Sequence, residues 1–513
     1  MKFSKEQELA ITSEGQNILV SAGAGSGKTA VLTERIYRIA KEEKSLDKFL
    51  VLTFTNLAAA EMKNRVRKKL LDDEETISLA TEVDNAHIET FDSFSLYLAK
   101  KYFYELGISR DISIIDNSIL TIKRKSLLED VLEELYVRED KDFLSLVDNY
   151  VSKNDDSLKD FIIKILETGD KKADNYAFFN RLRNDFFKEE TIDFAIKELM
   201  KEIKENIEFL YERVEELEDI DDVDQIQEHL DKFLSIDDYD ELYKALSDKD
   251  YSKFPTKPRK SEATDGEYRS NISDFYNKKI KINKDNDYGN KEDITRQYLE
   301  IKPFVQKIID IVIEVEKRLD DFKKDHNAYS FGDISRQVLR VLNNKVIREE
   351  ISNHFEYIMV DEYQDTNDIQ ETVISSISKN NVYMVGDVKQ SIYRFRGADC
   401  HIFQEKYEKY RKEEGGKEID LNTSYRSRKE VVDFVNDLFS QIMKKSINAI
   451  DYSNGHNFGF GRKEYEEHKS SSNYKPEVYS YEYEKAADAL NIEINIIIKD
   501  ILNKKNRFCR YGS

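Results

Sequence analysis

The chain has 513 residues, enough for two to four domains, with 39% hydrophobic and 36% charged residues. Its 81 Lys and Arg against 102 Asp and Glu give a net charge of −21, which argues against nucleic-acid binding by bulk charge but allows a local basic groove. Cys400 and Cys509 match no metal-ligand spacing and favour a reduced, cytoplasmic protein. We expect no secretory signal and no membrane span, because no run approaches about 18 apolar residues.

A glycine-rich segment follows a predicted buried strand and precedes a predicted amphipathic helix. It matches the pattern G-x-x-x-x-G-K-[ST], except for an alanine at the first position, over Ala22, Gly23, Ala24, Gly25, Ser26, Gly27, Lys28 and Thr29. Its backbone N–H groups would bind phosphate oxygens, Lys28 would reach the β- and γ-phosphates of ATP, and the Thr29 hydroxyl would ligate Mg²⁺. A turn that binds nothing is the less favoured alternative. Upstream, the Gln7 amide suits an adenine edge, although an ordinary surface glutamine explains it as well.

The next two predicted strands end in aromatic and polar residues. FLVLTF ends at Phe54, with Asn56 following, and a shorter strand leads into TFDSF, which contains Asp92. In a parallel α/β sheet, ligands bind at this end of the strands. An exposed Phe54 would stack on a nucleic-acid base, and a buried strand-end phenylalanine is the alternative.

Three later strand ends carry residue types that ATP hydrolysis requires. Asp361 and Glu362 follow the predicted strand FEYIMV, where one carboxylate can hold Mg²⁺ and the other can orient or deprotonate the attacking water. Gln390 follows the strand VYMV and is placed to sense the γ-phosphate. Arg426 follows another short strand and suits an arginine finger. Their occurrence together with the glycine-rich loop is what favours this interpretation.

The segment after Gln390 alternates aromatic and cationic residues. Tyr393, Phe395 and Arg396 suit base stacking, with a guanidinium on a phosphate or a ring, and Lys389 adds positive charge. These residues predict single-stranded nucleic acid as a ligand.

From about Tyr104 to about Asp325 apolar residues recur at helical spacing, which predicts a helical insertion with its charges on solvated faces. Within it we expect a basic loop over 253–293. The candidate phosphate contacts of this loop are Lys257, Arg259 and Lys260. After about Met443 we expect a glycine-rich loop and one long helix.

Six segments resemble, in order, the motifs of the UvrD-like superfamily 1 DNA helicases: AGAGSGKT, TFTNLAAAEM, TFDSF, DEYQDT, VGDVKQSIYRFRGAD and NTSYRSRKEV. Within this superfamily the last two segments and the long insertion resemble most the AddA-type helicase–nuclease subunits of bacterial recombination repair. The ending RFRGAD departs from the pattern of those subunits and leaves a stand-alone repair helicase as an alternative. The resemblance covers roughly 1–110 and 325–445.

The resemblance implies an α/β fold, with a RecA-like P-loop NTPase domain built on a parallel sheet, a large mainly helical insertion and the start of a second RecA-like domain. The implied bounds are 1–104 plus 326–420 for the first domain (1A), 105–325 for the insertion (1B) and 421–513 for the incomplete second domain (2A). The chain resembles an N-terminal portion of a longer protein, and nuclease activity is not supported in this portion.

The resemblance also implies roles for individual residues. Gln7 and Tyr425 would hold the adenine. The residues implied in ATP hydrolysis are Lys28, Thr29, Asp361, Glu362, Gln390 and Arg426. The implied contacts to single-stranded DNA are Phe54, Asn56, Tyr393, Phe395 and Arg396. Asp92 stands where the family has a histidine, and no role is assigned to it.

The expected function is that of an ATP-dependent DNA helicase or translocase subunit of a double-strand-break repair helicase–nuclease. Its ligands would be ATP, Mg²⁺ and single- or double-stranded DNA, and its partner would be the AddB-type helicase–nuclease subunit in a heterodimer. The alternatives are a stand-alone UvrD-like repair helicase, a DNA-binding ATPase module unable to unwind, and a nucleotide kinase or other P-loop enzyme. The aromatic and basic motifs after the strands argue against the last.

Overall fold

The structure, a computed structural model, describes residues 3–151, 154–215, 222–256, 266–443, 452–453, 455–462, 464, 476–483 and 486–511. Side chains at 266–267, 396, 486–487 and 503–511 are outside this description. The candidate phosphate contacts Lys257, Arg259 and Lys260 therefore lie outside the described residues, as does the side chain of Arg396.

A parallel sheet forms the centre of the first domain. The strands, in chain order, are β1 (Ile18–Ala22), β2 (Phe49–Thr53), β3 (His87–Thr90), β4 (Ser113–Ile114), β5 (Ala328–Tyr329), β6 (Tyr357–Val360), β7 (Val382–Gly386), β8 (Lys417–Leu421), β9 (Thr423–Ser424) and β10 (Gly459–Phe460). Six of them form one sheet in the order β3-β2-β6-β7-β1-β8, and each neighbouring pair is parallel. All residues of β1, β2 and β7 are buried, as expected for strands covered on both faces.

Helices cover both faces of this sheet and form the insertion. In chain order they are α1 (Lys5–Thr12), α2 (Lys28–Glu43), α3 (Asn56–Leu71), α4 (Phe91–Lys101), α5 (Phe103–Leu106), α6 (Asn117–Val137), α7 (Lys141–Tyr150), α8 (Asp156–Gly169), α9 (Asn175–Asn184), α10 (Glu189–Glu215), α11 (Val223–Leu234), α12 (Tyr239–Ser247), α13 (Gly266–Phe275), α14 (Lys291–Asp325), α15 (Phe331–Leu342), α16 (Lys345–His354), α17 (Asp368–Ile377), α18 (Cys400–Arg411), α19 (Lys429–Ile442) and α20 (Ala486–Tyr511). One apolar core joins the sheet to α4 and α15–α18, and the other joins it to α1–α3.

The insertion has two apolar cores of its own. Helices α6–α9 pack against one part of α14, and α10–α13 form the second core with the first turns of α14. At 35 residues, α14 is long enough to reach both cores. This arrangement lets the insertion fold around its own apolar side chains while α14 returns the chain to the sheet.

The expected basic loop over 253–293 is wrong in part. The structure has α13 there, continued by a π-helical turn over Tyr276–Ile280. Ile272, Tyr276 and Ile280 recur every four residues and are all buried in the second core of the insertion. Tertiary packing of this one apolar stripe therefore makes a polar segment helical.

The glycine-rich segment expected as a loop after Met443 contains a short strand. β10 pairs in parallel with β9, so that Gly459 lies opposite Thr423 and Phe460 opposite Ser424. The long helix expected near the end is α20. The α/β class, with its parallel sheet and helical insertion, is confirmed, whereas the three domain bounds stay predictions. None of the described helices is long and apolar enough to cross a membrane.

Candidate nucleotide site and DNA cleft

The predicted site residues lie along one edge of the sheet, where its parallel strands end. The glycine-rich loop follows β1, Asp361 follows β6, and Gln390 lies four residues after β7. Because β6, β7 and β1 are neighbours, these three groups meet at the carboxyl edge of the sheet. The ends of β2 and β3, which carry Phe54 and Asp92, lie farther along the same edge.

The loop before α2 has the backbone geometry of a phosphate cradle. Gly25 and Gly27 have φ of 79° and 92°, which side-chain-bearing residues rarely adopt. Gly27 caps α2 without a side-chain hydrogen bond, so the first N–H groups of this helix are open to an anion. The buried Ser26 hydroxyl has no hydrogen-bond partner among the described residues. This donor set fits the phosphates of ATP.

Lys28 contacts the acidic pair directly. Its Nζ lies 3.2 Å from Oε2 of Glu362, and Gln364 donates to the same oxygen over 2.8 Å. Glu362 has a φ of 52°, a left-handed conformation that costs a non-glycine residue on the order of 1 kcal/mol. The surrounding contacts therefore hold Glu362 in a strained position that keeps its carboxylate next to Lys28.

Asp361, Glu362 and Asp365 crowd together at this edge, and Lys28 contacts one of these three carboxylates. Burial, then the Glu362 carboxylate, raises the pKa of Asp361 to about 6. The same two causes raise the pKa of Asp365 to about 6. Carboxylates that repel one another in a partly buried site favour a divalent cation. The residues present thus fit Mg²⁺, which Thr29 and Asp361 would hold.

A hydrogen-bonded path joins Lys28 to Gln390. Gln364, which donates to Glu362, accepts from the backbone N–H of Asp387 over 2.9 Å. The Nε2 of Gln390 donates to Asp387 Oδ2 over 2.7 Å. We call Lys28, Glu362, Gln364, Asp387 and Gln390 the nucleotide-site network. Gln364 and Asp387 lie in two of the helicase-like segments, but the sequence indicates no role for either residue. Their contact depends on β6 lying beside β7, which only the fold shows.

The side chain of Gln7 hydrogen-bonds to the glycine-rich loop. It is buried, donates from Nε2 to the carbonyl of Ser26 over 2.8 Å, and accepts from the N–H of Ser4 at Oε1. The alternative of an ordinary surface glutamine is therefore wrong. The backbone N–H of Tyr425 donates to the carbonyl of Gly25 over 2.8 Å. Tyr425 and Gln7 thus approach the loop from two sides, and their contact with adenine stays a prediction.

Arg426 is exposed and lies against the loop. A Cβ built on Gly25 would come within 2.7 Å of the Arg426 Cβ, so the two backbones are in close contact. The side chain of Arg426 is therefore within reach of a phosphate bound by the loop.

The predicted DNA-contacting rings form a cluster at the ends of β2 and β7. The ring centroids of Phe54 and Tyr393 are 4.6 Å apart, and those of Tyr393 and Phe395 are 5.8 Å apart. Phe54 is half-buried rather than exposed, whereas Phe395 is 72% exposed. Asn56 is exposed in the first turn of α3. Arg396 lies in the same turn as Phe395, and its side chain is outside the described part of the chain.

A cleft of about 730 Å³ separates this edge of the sheet from the insertion. Phe54, Asp92 and Phe395 line it from the sheet side, and Arg124 and Lys171 from the insertion. The lining therefore combines rings and cations with carboxylates such as Asp170 and Asp365, and Phe395 and Lys171 offer a ring and a cation to a single strand.

Charged side chains at the base of the cleft form what we call the junction network. Its members are Arg124, Asp170, Glu316, Lys323, Asp333 and Arg336. Arg124 binds both carboxylate oxygens of Asp170 over 2.9 and 3.1 Å, and Lys323 donates to Asp333 over 2.9 Å. The expectation that charges of the insertion lie on solvated faces is wrong for Arg124, Glu316 and Lys323, which are buried where the insertion meets α15.

The fold and the loop define a RecA-like P-loop NTPase domain. A family model for the UvrD/REP helicase N-terminal domain matches residues 3–219 and 199–411. The chain belongs to this helicase family.

Curated relatives extend the similarity to most of the chain. It is 32% identical to the A-subunit of the ATP-dependent helicase/nuclease of Clostridium kluyveri, over 93% of this chain and 41% of the relative. Proteins of the same name from Clostridium novyi (32% identity, 88% of this chain, 40% of the relative) and Staphylococcus haemolyticus (31%, 90% and 41%) are also similar. The chain spans about two fifths of the length of these relatives. The expected resemblance to the AddA-type helicase–nuclease subunits is confirmed.

Proposed function

We propose that the protein hydrolyses ATP at the carboxyl edge of its sheet to drive movement along single-stranded DNA. The observation that carries this proposal is the nucleotide-site network, because it connects the glycine-rich loop to the strand end that bears the DNA-contacting rings. Gln390 ends the network, and Tyr393 of the ring cluster follows three residues later. A change at the phosphates therefore has a short covalent and hydrogen-bonded route to the DNA cleft.

Each residue of the site has a defined task in this proposal. Lys28 binds the β- and γ-phosphates, and Glu362 orients and accepts a proton from the attacking water. Thr29 and Asp361 hold Mg²⁺, which neutralises charge on the phosphate oxygens when bound. Gln390 and Arg426 would contact the γ-phosphate.

We also propose that the chain is part of a double-strand-break repair helicase–nuclease, in which it would form a heterodimer with the AddB-type subunit. The names of its relatives support this proposal. Co-expression with an AddB-type protein from the same genome, followed by size-exclusion chromatography, tests this pairing. Separate elution of the two proteins, with retained ATPase activity, would instead favour a stand-alone repair helicase. ATPase activity without strand separation would favour the ATPase module that cannot unwind.

Calorimetric titration of Mg–ATP tests the nucleotide site. We expect Lys28→Ala to lower the affinity at least about tenfold, because hydrogen bonds to charged groups contribute roughly 1.5–3 kcal/mol. Lys41→Ala is the matched control, since Lys41 lies on the same helix and pairs with Asp73 away from the loop. Equal binding by wild type and Lys28→Ala would remove the basis of the proposal.

Fluorescence anisotropy with a short labelled single strand tests the DNA cleft. We expect Tyr393→Ala and Phe395→Ala each to weaken binding by about 5- to 150-fold, because one stacked base contributes roughly 1–3 kcal/mol. Phe194→Ala removes an exposed ring on α10 and should bind like wild type. The salt dependence should be shallow, since few phosphates are neutralised. Unchanged binding by both ring variants, together with a steep salt dependence, would contradict the stacking model.

A further inference from the structure

An aromatic ring from outside the glycine-rich loop packs on its first turn. A Cβ built on Gly23 would lie 2.0 Å from Cε1 and 2.8 Å from Cδ1 of Phe458. Real Cβ atoms do not approach carbon so closely, so the ring occupies the space that any side chain at position 23 would need. Gly23 does not have the positive φ of Gly25 and Gly27. Its backbone would accept alanine, and the three atoms nearest to such a Cβ all belong to the ring of Phe458.

Hydrogen bonds hold the backbone of Phe458 in this position. The side-chain amide of Asn436, on α19, donates to the carbonyl of Phe458 and accepts from its N–H, both over 2.9 Å. The hydroxyl of the buried Tyr452 donates to the same Asn436 oxygen over 2.9 Å. Phe458 directly precedes β10, which pairs with β9, and both strands lie in the predicted start of the second RecA-like domain.

The ring also contacts the strand end that carries Gln390. The Nζ of Lys389 lies 5.3 Å from the centroid of Phe458, within cation–π distance, and 2.9 Å from Oδ1 of Asp387. Asp387 belongs to the nucleotide-site network and is almost fully buried. Phe458 thus covers both the first turn of the loop and the ion pair next to Gln390.

We infer that Phe458 is a positioning residue for the nucleotide site: its ring fixes the first turn of the loop against Gly23 and keeps Lys389 paired with Asp387. Through Asn436 and β10 it ties the loop to the second RecA-like domain. This inference rests on the proposed function, because it requires ATP to bind at the loop. The general P-loop pattern G-x-x-x-x-G-K-[ST] leaves position 23 open to any residue, so that pattern does not account for the glycine there, whereas the contact with the ring does.

The inference is tested by enlarging residue 23 and shrinking residue 458, alone and together, and measuring the affinity for Mg–ATP by calorimetric titration. Gly23→Ala alone should weaken ATP binding by about 5- to 150-fold, because overpacking a close contact typically costs 1–3 kcal/mol. In the double variant Phe458→Ala/Gly23→Ala the methyl group has room, so adding Gly23→Ala to Phe458→Ala should change the affinity by less than about threefold. Phe458→Leu/Gly23→Ala repeats the test with a milder change, since leucine lacks the Cε1 and Cζ atoms.

Gly25→Ala is the matched control for this experiment. Its φ of 79° strains alanine in any background, and its nearest neighbour is Arg426 and not Phe458. The Phe458→Ala change should therefore not rescue Gly25→Ala. Phe458→Leu alone should raise KM for ATP more than it lowers kcat, and far-ultraviolet circular dichroism and thermal melting should show each variant folded.

The outcomes separate the inference from the proposed function. If wild type binds ATP no better than Lys28→Ala, the proposed function fails. If wild type binds ATP and Gly23→Ala weakens binding equally with Phe458 present, shortened to leucine, or removed, the ring does not position the loop and the inference is overturned. If Phe458→Ala restored ATP binding to Gly25→Ala, the inference would also be overturned, because removing the ring would then improve binding at a position that the ring does not contact.

Discussion

The nucleotide site and the junction network both bring cations and carboxylates together, but the pKa of Asp361 in the first and the pKa of Asp333 in the second shift in opposite directions. In the junction network, Lys323 and Arg336 both contact Asp333, outweigh the effect of its burial and hold its pKa well below the usual range. At the nucleotide site, Lys28 is the cation in contact with Glu362, and the pKa of Asp361 rises to about 6. The buried Asp333 has two cations in contact with it, whereas the crowded carboxylates at the nucleotide site fit a divalent cation.

The largest effect should come from opening the junction network. Asp333→Ala leaves Lys323 and Arg336 without their shared carboxylate, and breaking a buried pair from one side typically costs about 3–5 kcal/mol. Urea unfolding measures the loss. Asp333 also closes the capping box of α15 with Ser330, so Ser330→Ala, which should cost about 1 kcal/mol, measures the capping part.

An exposed ion pair is the matched control for this experiment. Glu61 pairs with Arg65 on the surface of α3, and Glu61→Ala should cost about 0.5 kcal/mol or less. If Asp333→Ala were no more destabilising than Ser330→Ala, the contacts of Asp333 with its two cations would not support the fold.

The second effect concerns ligand binding at the nucleotide site. Mg–ATP at 100 times its dissociation constant should stabilise the wild type by about 2.7 kcal/mol, and removing Mg²⁺ with a chelator should abolish most of this gain. Asp361→Asn should lose the gain as well, because it removes a carboxylate that would hold the cation. Thermal melting with and without Mg–ATP measures both. A full gain in Asp361→Asn would contradict the cation assignment.

Without ligand, a substitution at the nucleotide site should raise the free energy of unfolding slightly instead of lowering it. Glu362→Gln removes one of the crowded carboxylates next to Asp361 and Asp365, and should raise the unfolding free energy by roughly 1 kcal/mol, less than the equivalent of one pKa unit. Urea unfolding in a chelator measures it, and the same variant should lose ATP hydrolysis. A clear loss of stability would show that Glu362 is needed structurally to pair with Lys28, which would weaken the contrast between the two networks.

The smallest effect is a pH dependence at a third group of carboxylates. Burial, then the neighbouring Asp420 on β8, raises the pKa of Glu418, which also faces Arg411 and Tyr407 of α18. The folded state therefore keeps a proton that the unfolded state releases, and the unfolding free energy should fall as the pH rises above the unfolded value of 4.5.

Glu418→Gln should remove this fall, so variant and wild type should match in acid and differ by roughly 0.5–1 kcal/mol at alkaline pH. Thermal melting across pH measures the difference, with Glu61→Gln as an exposed control. Parallel curves for wild type and Glu418→Gln would contradict the raised pKa.

Much of the site could be predicted because strand ends are visible in the sequence. The glycine-rich loop, Asp361, Glu362 and Gln390 each follow an apolar run, and parallel strands of one sheet end at one edge. Gln364 and Phe458 could not be assigned, because their roles depend on which strands are neighbours. The insertion was predicted as helical from its spacing, but the sequence does not show which of its many charged residues become buried.

The amino-acid sequence by itself determined the class of fold, the phosphate-binding loop and the strand ends that bear acids, rings and cations, since each depends on local pattern. The tertiary structure decided what those groups contact: it brought β6 beside β7 so that Gln364 links Glu362 to Asp387, and it buried Lys323 beside Asp333. It also placed Phe458 on Gly23, 435 positions away in the chain. Contacts between residues so distant depend on how helices and strands pack, and no local pattern encodes that packing.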